Sequence, residues 1–166
     1  MPAQDQNIWG AGDAYERYMG RWSRRIATTF TEWLDVVPGA RWIDVGCGTG
    51  VLTSTIVANC EPAEVIGIDS SDIFLKAANA TLSDPRVSLS EGDAQAISEA
   101  DGSFDAAVSG LVLNFVPDKD AAIREMTRIV RAGGIVGLYV WDYAGHMQVM
   151  RTFFDVALLG RRRSRL

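Results

Sequence analysis

The residues best suited to chemistry cluster in one short run, WIDVGCGTG, from Trp42 to Gly50. An apolar segment predicted as a strand leads into Gly46, Cys47, Gly48, Thr49 and Gly50, and a helical pattern follows. Glycines at such a junction let the chain turn tightly and bring bare backbone against a ligand, beside a helix N-terminus with free N–H groups. Asp44 places a carboxylate near the strand end, where it can attract an ammonium group directly or through water. The next apolar run, VIGID, ends in Asp69. It lies about 20 residues past the glycines, the separation at which a carboxylate can accept from both hydroxyls of a ribose. Each glycine alone is equally well an ordinary turn residue, and Asp69 alone a helix cap with Ser70 and Ser71. The joint pattern points to a nucleoside site.

Spacing separates two kinds of nucleoside. A dinucleotide fingerprint asks for G-x-G-x-x-G or a close variant, and Val51 stands where its third glycine or alanine belongs. The run here reads G-x-G-x-G. A further motif, EGDAQ from Glu91 to Gln95, follows the third predicted strand. Asp93 could accept there from an adenine amino group while the Ala94 N–H donates to the ring. Standing alone, Asp93 would be an ordinary aspartate in a turn after Gly92.

These groups need a scaffold that brings strand ends together. Strands are predicted at Arg41 to Val45, Glu64 to Ile68, Val87 to Leu89, Phe104 to Val108 and Ile135 to Trp141. Helices are predicted between them near Val51 to Asn59, Asp72 to Leu82 and Lys119 to Val130. The last has Pro117 and Asp118 at its start, an Ile123, Met126, Ile129 and Val130 stripe, and Gly133 and Gly134 to stop it in a left-handed turn. Ahead of the first strand, Tyr15, Tyr18, Met19, Trp22, Ile26, Phe30, Trp33 and Leu34 recur at helical spacing and predict one apolar face. The alternation is that of βαβ units, hence an α/β, Rossmann-like, doubly wound and mostly parallel sheet. Residues 1–40 read as a helical cap, 41–142 as the core, and 143–166 as a helix with a basic tail, all within one domain.

The whole chain sets bounds on function. Its 166 residues are 48% hydrophobic and 22% charged, enough for one globular domain with a real core. A net charge of -5 argues against a protein that coats nucleic acid or inserts into an anionic membrane. The amino terminus has no basic cluster before an apolar run, and the longest apolar stretch is too short to cross a bilayer. Two cysteines, Cys47 and Cys60, suit a reducing compartment. The expectation is a cytoplasmic protein.

Taken in order, DVGCGTG, VIGID, EGDAQ, FDAAVSGLVLNFVPD and RAGGIVGLYVWD resemble the type 11 class I methyltransferases, a group that includes ubiquinone and menaquinone biosynthesis enzymes. YERYMGRWSR is similar to that group's leading helix. The resemblance runs from Tyr15 to about Phe154 and implies S-adenosylmethionine as cofactor and a small-molecule methyl acceptor. It further implies that Gly46, Cys47 and Gly48 lie along the methionine part, with Asp44 helping to hold its amino group. Asp69 would bind the ribose with Ser70 near the adenine edge, and Asp93 and Ala94 would read the adenine. Ser109 or Gly110 would offer backbone carbonyls to the ammonium, Leu111 and Asn114 would line the methyl-donor end, and Tyr18 and Arg24 would close over the methionine moiety. Enzymes that methylate amide or exocyclic amino nitrogens commonly carry a D/N-P-P-Y motif after the fourth strand. SGLVLN stands there instead, which argues against adenine or glutamine as acceptor.

Methyl transfer from a sulfonium asks for in-line placement and exclusion of water more than for charged catalytic groups. The sequence has no Ser-His-Asp set and no metal-ligand spacing, so no metal is expected. His146, the only histidine, is the candidate general base, against the plainer reading of an exposed loop residue. Tyr139, Trp141 and Tyr143 could set aromatic faces near a sulfonium, with Tyr139 better read as core. The family fold has two further strands beside the fifth, and no pattern for them follows Trp141. The expectations are an apparently truncated chain, weakened acceptor binding, and self-association through the fifth-strand edge or the final helix. The rival readings are a catalytically weak S-adenosylmethionine-binding remnant or interaction module, and a nicotinamide-dependent dehydrogenase.

Overall fold

The computed structural model describes residues 21–142. Tyr18, Tyr143, His146 and the final helix lie outside that range. Within it, α1 (Arg21–Leu34) precedes β1 (Arg41–Val45), α2 (Val51–Asn59), β2 (Glu64–Asp69), α3 (Asp72–Thr81), β3 (Val87–Glu91), β4 (Phe104–Gly110), a 3-10 turn (Leu113–Phe115), α4 (Lys119–Ile129) and β5 (Val130–Tyr139). The five strands form one sheet in the order β3-β2-β1-β4-β5, and every neighbouring pair is parallel. The predicted Rossmann-like core is therefore present, and strand order reverses at β1, between β2 and β4.

Strands covered on both faces read as near-continuous apolar runs, and β1 is one. Trp42 on one face joins Leu52, Ile56, Val65, Ala106 and Val108 in a core beneath α1 and α2. Ile43 and Val45 on the other face join Ile68, Phe104, Met126 and Ile129 beneath α4. β3 and β5 are the sheet's outer strands and are less buried. Ser71 caps α3 through its hydroxyl to the Phe74 N–H, and Asp118 caps α4 through its carboxylate to the Ala121 N–H, 2.9 Å away. No described helix is long and apolar enough to cross a membrane.

Two expectations about the fold need correction. Helix α1 does not bury the whole predicted apolar face: Trp22 is 50% and Trp33 74% exposed, and Ile26 is also exposed. The buried row is Ser23, Ala27, Phe30, Thr31 and Leu34. Room is limited where α1 meets the sheet. A Cβ on Gly137 of β5 would come within 2.7 Å of Leu34 Cδ2, leaving no room there for an indole. The fifth strand also begins earlier than predicted, at Val130. Phe104 pairs with Val130 and Ala106 with Ile135, so Arg131–Gly134 bulges out, with Gly133 at φ 78°. Arg131 Nε donates to Asp105 2.6 Å away, anchoring the bulge. The left-handed glycine was legible, but it shapes a bulge rather than the helix end.

Candidate functional site

Because the strands are parallel, the loop after β1 and the ends of β2, β3 and β4 meet at one edge of the sheet. That is where open α/β sheets bind ligands. The glycine loop is folded by its own contacts. Gly46 and Cys47 both donate N–H to Ile68 O, at 2.8 and 3.0 Å, and Gly50 donates to Cys47 O at 2.9 Å. Gly48 N–H donates to Asp69 Oδ2 at 2.8 Å, and Ser71 N–H to Asp69 Oδ1 at the same distance. Asp69 thus closes the glycine loop and opens α3 at once, so its cap role and its place in the site coexist. In these four loop residues the N–H is already bonded. Such a loop is a poor phosphate nest.

Gly46, Gly48 and Gly50 all have positive φ, at 76°, 56° and 84°. The reason for a missing side chain differs among them. A Cβ on Gly46 would lie 2.5 Å from Val112 Cγ1, whereas one on Gly48 would meet nothing within 4 Å. On the Cβ side of Gly46, Val112 already fills the space. Gly48 keeps the open face. Cys47 turns its side chain toward β2, with Sγ 3.1 Å from where a Gly67 Cβ would stand. Burial, then the charges of Asp44 and Asp69, push its thiol above the ordinary range, so it packs as a neutral group.

Asp44 is wholly buried. Its Oδ2 accepts from the Thr53 hydroxyl at 2.7 Å, while Oδ1 has no partner. Burial, opposed by the Thr53 hydroxyl and helped by the neighbouring Asp69 charge, leaves its carboxyl pushed up to about 7. A buried acceptor without a donor is costly unless something supplies one. Asp44 and Asp69 are held by hydroxyl and backbone donors, not by Lys or Arg. A ligand carrying an ammonium and a sulfonium fits this edge; a pyrophosphate does not.

The sign of the Asp44 effect on stability follows from linkage. The folded state binds the proton more tightly than the unfolded one, so the contribution is full below about pH 4 and is lost as pH rises to about 7. Over that window the loss is about 4 kcal/mol. We expect Asp44→Asn to remove it, so that the stability difference between variant and wild type shifts in the variant's favour between pH 4 and pH 7. Urea melts of both proteins across that range check this, and parallel pH profiles would refute it.

The remaining predicted residues fall as follows. Ser70 is exposed beside Asp69. Asp93 is exposed, and its carboxylate accepts from Gln95 N–H at 2.8 Å and Gln95 Nε2 at 3.0 Å, which hold it below the usual carboxylate range. Ala94 is partly buried against the second core cluster. Ser109 donates its hydroxyl to Val45 O at 2.7 Å, tying β4 to β1. Gly110 faces the Tyr139 hydroxyl, which would lie 2.5 Å from an added Cβ. Tyr139 packs edge-on against Phe30, with ring centroids 4.8 Å apart, in keeping with the core reading. Leu111 is buried at φ 63°, and Asn114 bonds the backbone of Trp141. Arg24 is exposed on α1.

Sequence reasoning missed Thr53, Gln95 and Val112. Thr53 stands three residues after Gly50, the first-turn position from which a hydroxyl can reach back to the strand end. Gln95 also accepts from Asp118 N–H at 3.0 Å, joining the EGDAQ loop to α4. No local signal marks Val112. Among the described residues no cluster of His, Cys, Asp and Glu could hold a metal ion.

A parallel sheet with a reversal at β1, a glycine loop and acids at successive strand ends defines a Rossmann-like nucleoside-binding domain. The methyltransferase domain family of type 11 matches residues 43–138, and the chain belongs to that family. The family implies S-adenosylmethionine as cofactor, which the unpartnered Asp44 oxygen fits. The chain is 32% identical over 120 residues to a demethylmenaquinone methyltransferase of Desulfitobacterium hafniense, covering 69% of this chain and 46% of that protein. It therefore spans about half the length of that relative. An S-adenosylmethionine-dependent methyltransferase from Mesorhizobium loti superposes with a TM-score of 0.59 at 28% identity, over 65% of this chain and 49% of that one. A Haloferax volcanii complex of the Trm112 methyltransferase activator and a methyltransferase gives a TM-score of 0.76 at 22% identity, over 84% of this chain and 62% of that one, a likeness of fold alone.

Proposed function

We propose that this chain binds S-adenosylmethionine along the carboxyl ends of β1 to β4 and transfers its methyl group, in line, to a small-molecule acceptor. The observation that carries the reading is the buried, unpartnered Asp44 Oδ1 beside Asp69, at a loop whose Gly46, Cys47, Gly48 and Gly50 N–H donors are already bonded. S-adenosylmethionine supplies a methyl group on a sulfonium, so the departing thioether is neutral. Asp44 Oδ1 would accept from the amino group, and a cation there favours the ionised carboxylate. The second lone pairs of the Asp69 oxygens would accept from the ribose hydroxyls. Gly48 provides the side-chain-free surface. Asp93, already oriented by Gln95, would accept from the adenine amino group. Together these residues fix the methyl-bearing end near the turn after β4, where placement of the acceptor does most of the work.

Calorimetry with S-adenosylmethionine, S-adenosylhomocysteine and NAD tests the site. We expect the first two to bind and NAD not to. NAD binding alone would refute the reading and favour a dehydrogenase. A transfer assay with phenols, quinols including demethylmenaquinone, amines and carboxylic acids then tests the reaction. Cofactor binding with transfer to none of them would leave the remnant or interaction-module reading.

A further inference from the structure

The turn after β4 holds a conformation its own residues disfavour. Leu111 is a buried, non-glycine residue at φ 63°, a backbone region that L side chains rarely adopt. Such a conformation persists only where its surroundings over-determine it. Two sets of contacts from the end of β5 do so here. Leu111 N–H donates to Tyr139 O at 2.8 Å. Three residues on, the Asn114 carboxamide grips Trp141 at both backbone groups: Oδ1 accepts from Trp141 N–H at 2.9 Å, and Nδ2 donates to Trp141 O at 3.2 Å. Between Leu111 and Asn114 stands Val112, whose methyl groups occupy the Cβ space of Gly46.

We propose that Asn114 is a positioning residue: its two bonds to Trp141 hold the Leu111–Asn114 turn, with Val112, against the first glycine of the cofactor loop. The inference rests on the cofactor reading above and adds a positioning role to the expectation that Asn114 lines the methyl-donor end. Each end of the amide keeps one further bonding position, an N–H on Nδ2 and a lone pair on Oδ1, but its orientation is set by Trp141. The amide joins the chain leaving β5 to the wall beside Gly46, and it does so across 27 residues of sequence. Anything that shifts the backbone at Trp141 therefore reaches that wall through one side chain.

The test uses Asn114→Ala and Asn114→Leu, the second keeping the side-chain volume, with Arg128→Ala as a control. Arg128 bonds Glu125, Asp101 and the carbonyls of Ile97 and Glu99, near the amino end of β4 and away from the glycine loop. Amide exchange at Trp141 and Leu111, referred to Ile43 in the core, reads the clamp without ligand. Titration with S-adenosylmethionine and S-adenosylhomocysteine reads the pocket. Both Asn114 variants are expected to speed exchange at the two amides, and to weaken both ligands, by about tenfold, as for one to two hydrogen bonds. Arg128→Ala is expected to lower the melting temperature and move neither readout. Unchanged exchange at Trp141 in the Asn114 variants overturns the clamp. Faster exchange with unchanged affinities overturns the positioning role. A wild-type protein that binds neither ligand ends the cofactor reading and the positioning role with it, while the exchange arm still decides whether the clamp exists.

Discussion

Asp69→Ala is expected to weaken S-adenosylmethionine binding by at least about a hundredfold. Hydrogen bonds to an ionised acceptor are worth about 1.5–3 kcal/mol each, and two ribose hydroxyls would lose their partner together. The substitution also strips acceptors from Gly48 N–H and Ser71 N–H, which Asp69 holds at 2.8 Å. Part of the loss would therefore come from a loosened glycine loop. Asp69→Asn separates the two effects, since its one carbonyl oxygen can keep one of those N–H bonds while the charge is gone. Removing the Asp69 charge relieves Asp44 as well, because that charge helps to raise the Asp44 carboxyl. The apo protein should then ionise Asp44 at lower pH. Calorimetry gives the affinities and circular dichroism the state of the fold. A folded Asp69→Ala protein that binds within threefold of wild type would place the ribose elsewhere.

Gly46→Ala is expected to destabilise the domain by about 3 kcal/mol or more, while Gly48→Ala costs about 1–2 kcal/mol. Both glycines have positive φ, so both variants carry the left-handed penalty. Only at Gly46 does the new methyl collide, at 2.5, 2.6 and 2.9 Å from three Val112 side-chain atoms. Val112 is β-branched and stiff at χ1, and its turn is held by the bonds to Tyr139 and Trp141, so it cannot swing aside cheaply. Val112→Ala combined with Gly46→Ala should recover the collision and leave the backbone penalty, a coupling that a double-mutant cycle in urea measures. The ligand readout should run the other way. Gly48 opens on empty space, so a methyl there adds no collision to the backbone penalty and intrudes on the proposed cofactor surface. Equal stability losses at the two positions would refute the assignment of Val112 to the Gly46 side.

Much of this was legible without coordinates. Helix α2 occupies the predicted residues, and β1 does too, because a short apolar run ended by glycines admits few other local structures. Asp44, Asp69 and Asp93 were found because acids at the carboxyl ends of successive parallel strands converge whatever fills the core. The leading helix was read less well. Its tryptophans sit at helical spacing, yet Trp22 and Trp33 face outward, since hydrophobicity marks what can be buried and not what there is room to bury. The residues that were missed act on groups outside their own element: Val112 on Gly46, Gln95 between Asp93 and Asp118, and Thr53 on Asp44; Asn114 was named, but its bonds to Trp141 were not foreseen.

Local order along the chain was thus enough to specify the strands, the glycine turn and the acids at the strand ends, because backbone propensity, side-chain period and turn chemistry act within a few residues. The tertiary structure alone decided which loop N–H groups are already bonded, which glycine faces open space and which amide bonds the chain leaving β5. Those outcomes depend on the order β3-β2-β1-β4-β5, which sets side by side groups that lie 21 to 66 residues apart, such as Gly48 with Asp69 and Gly46 with Val112. No local pattern encodes which distant backbone atom a side chain will meet.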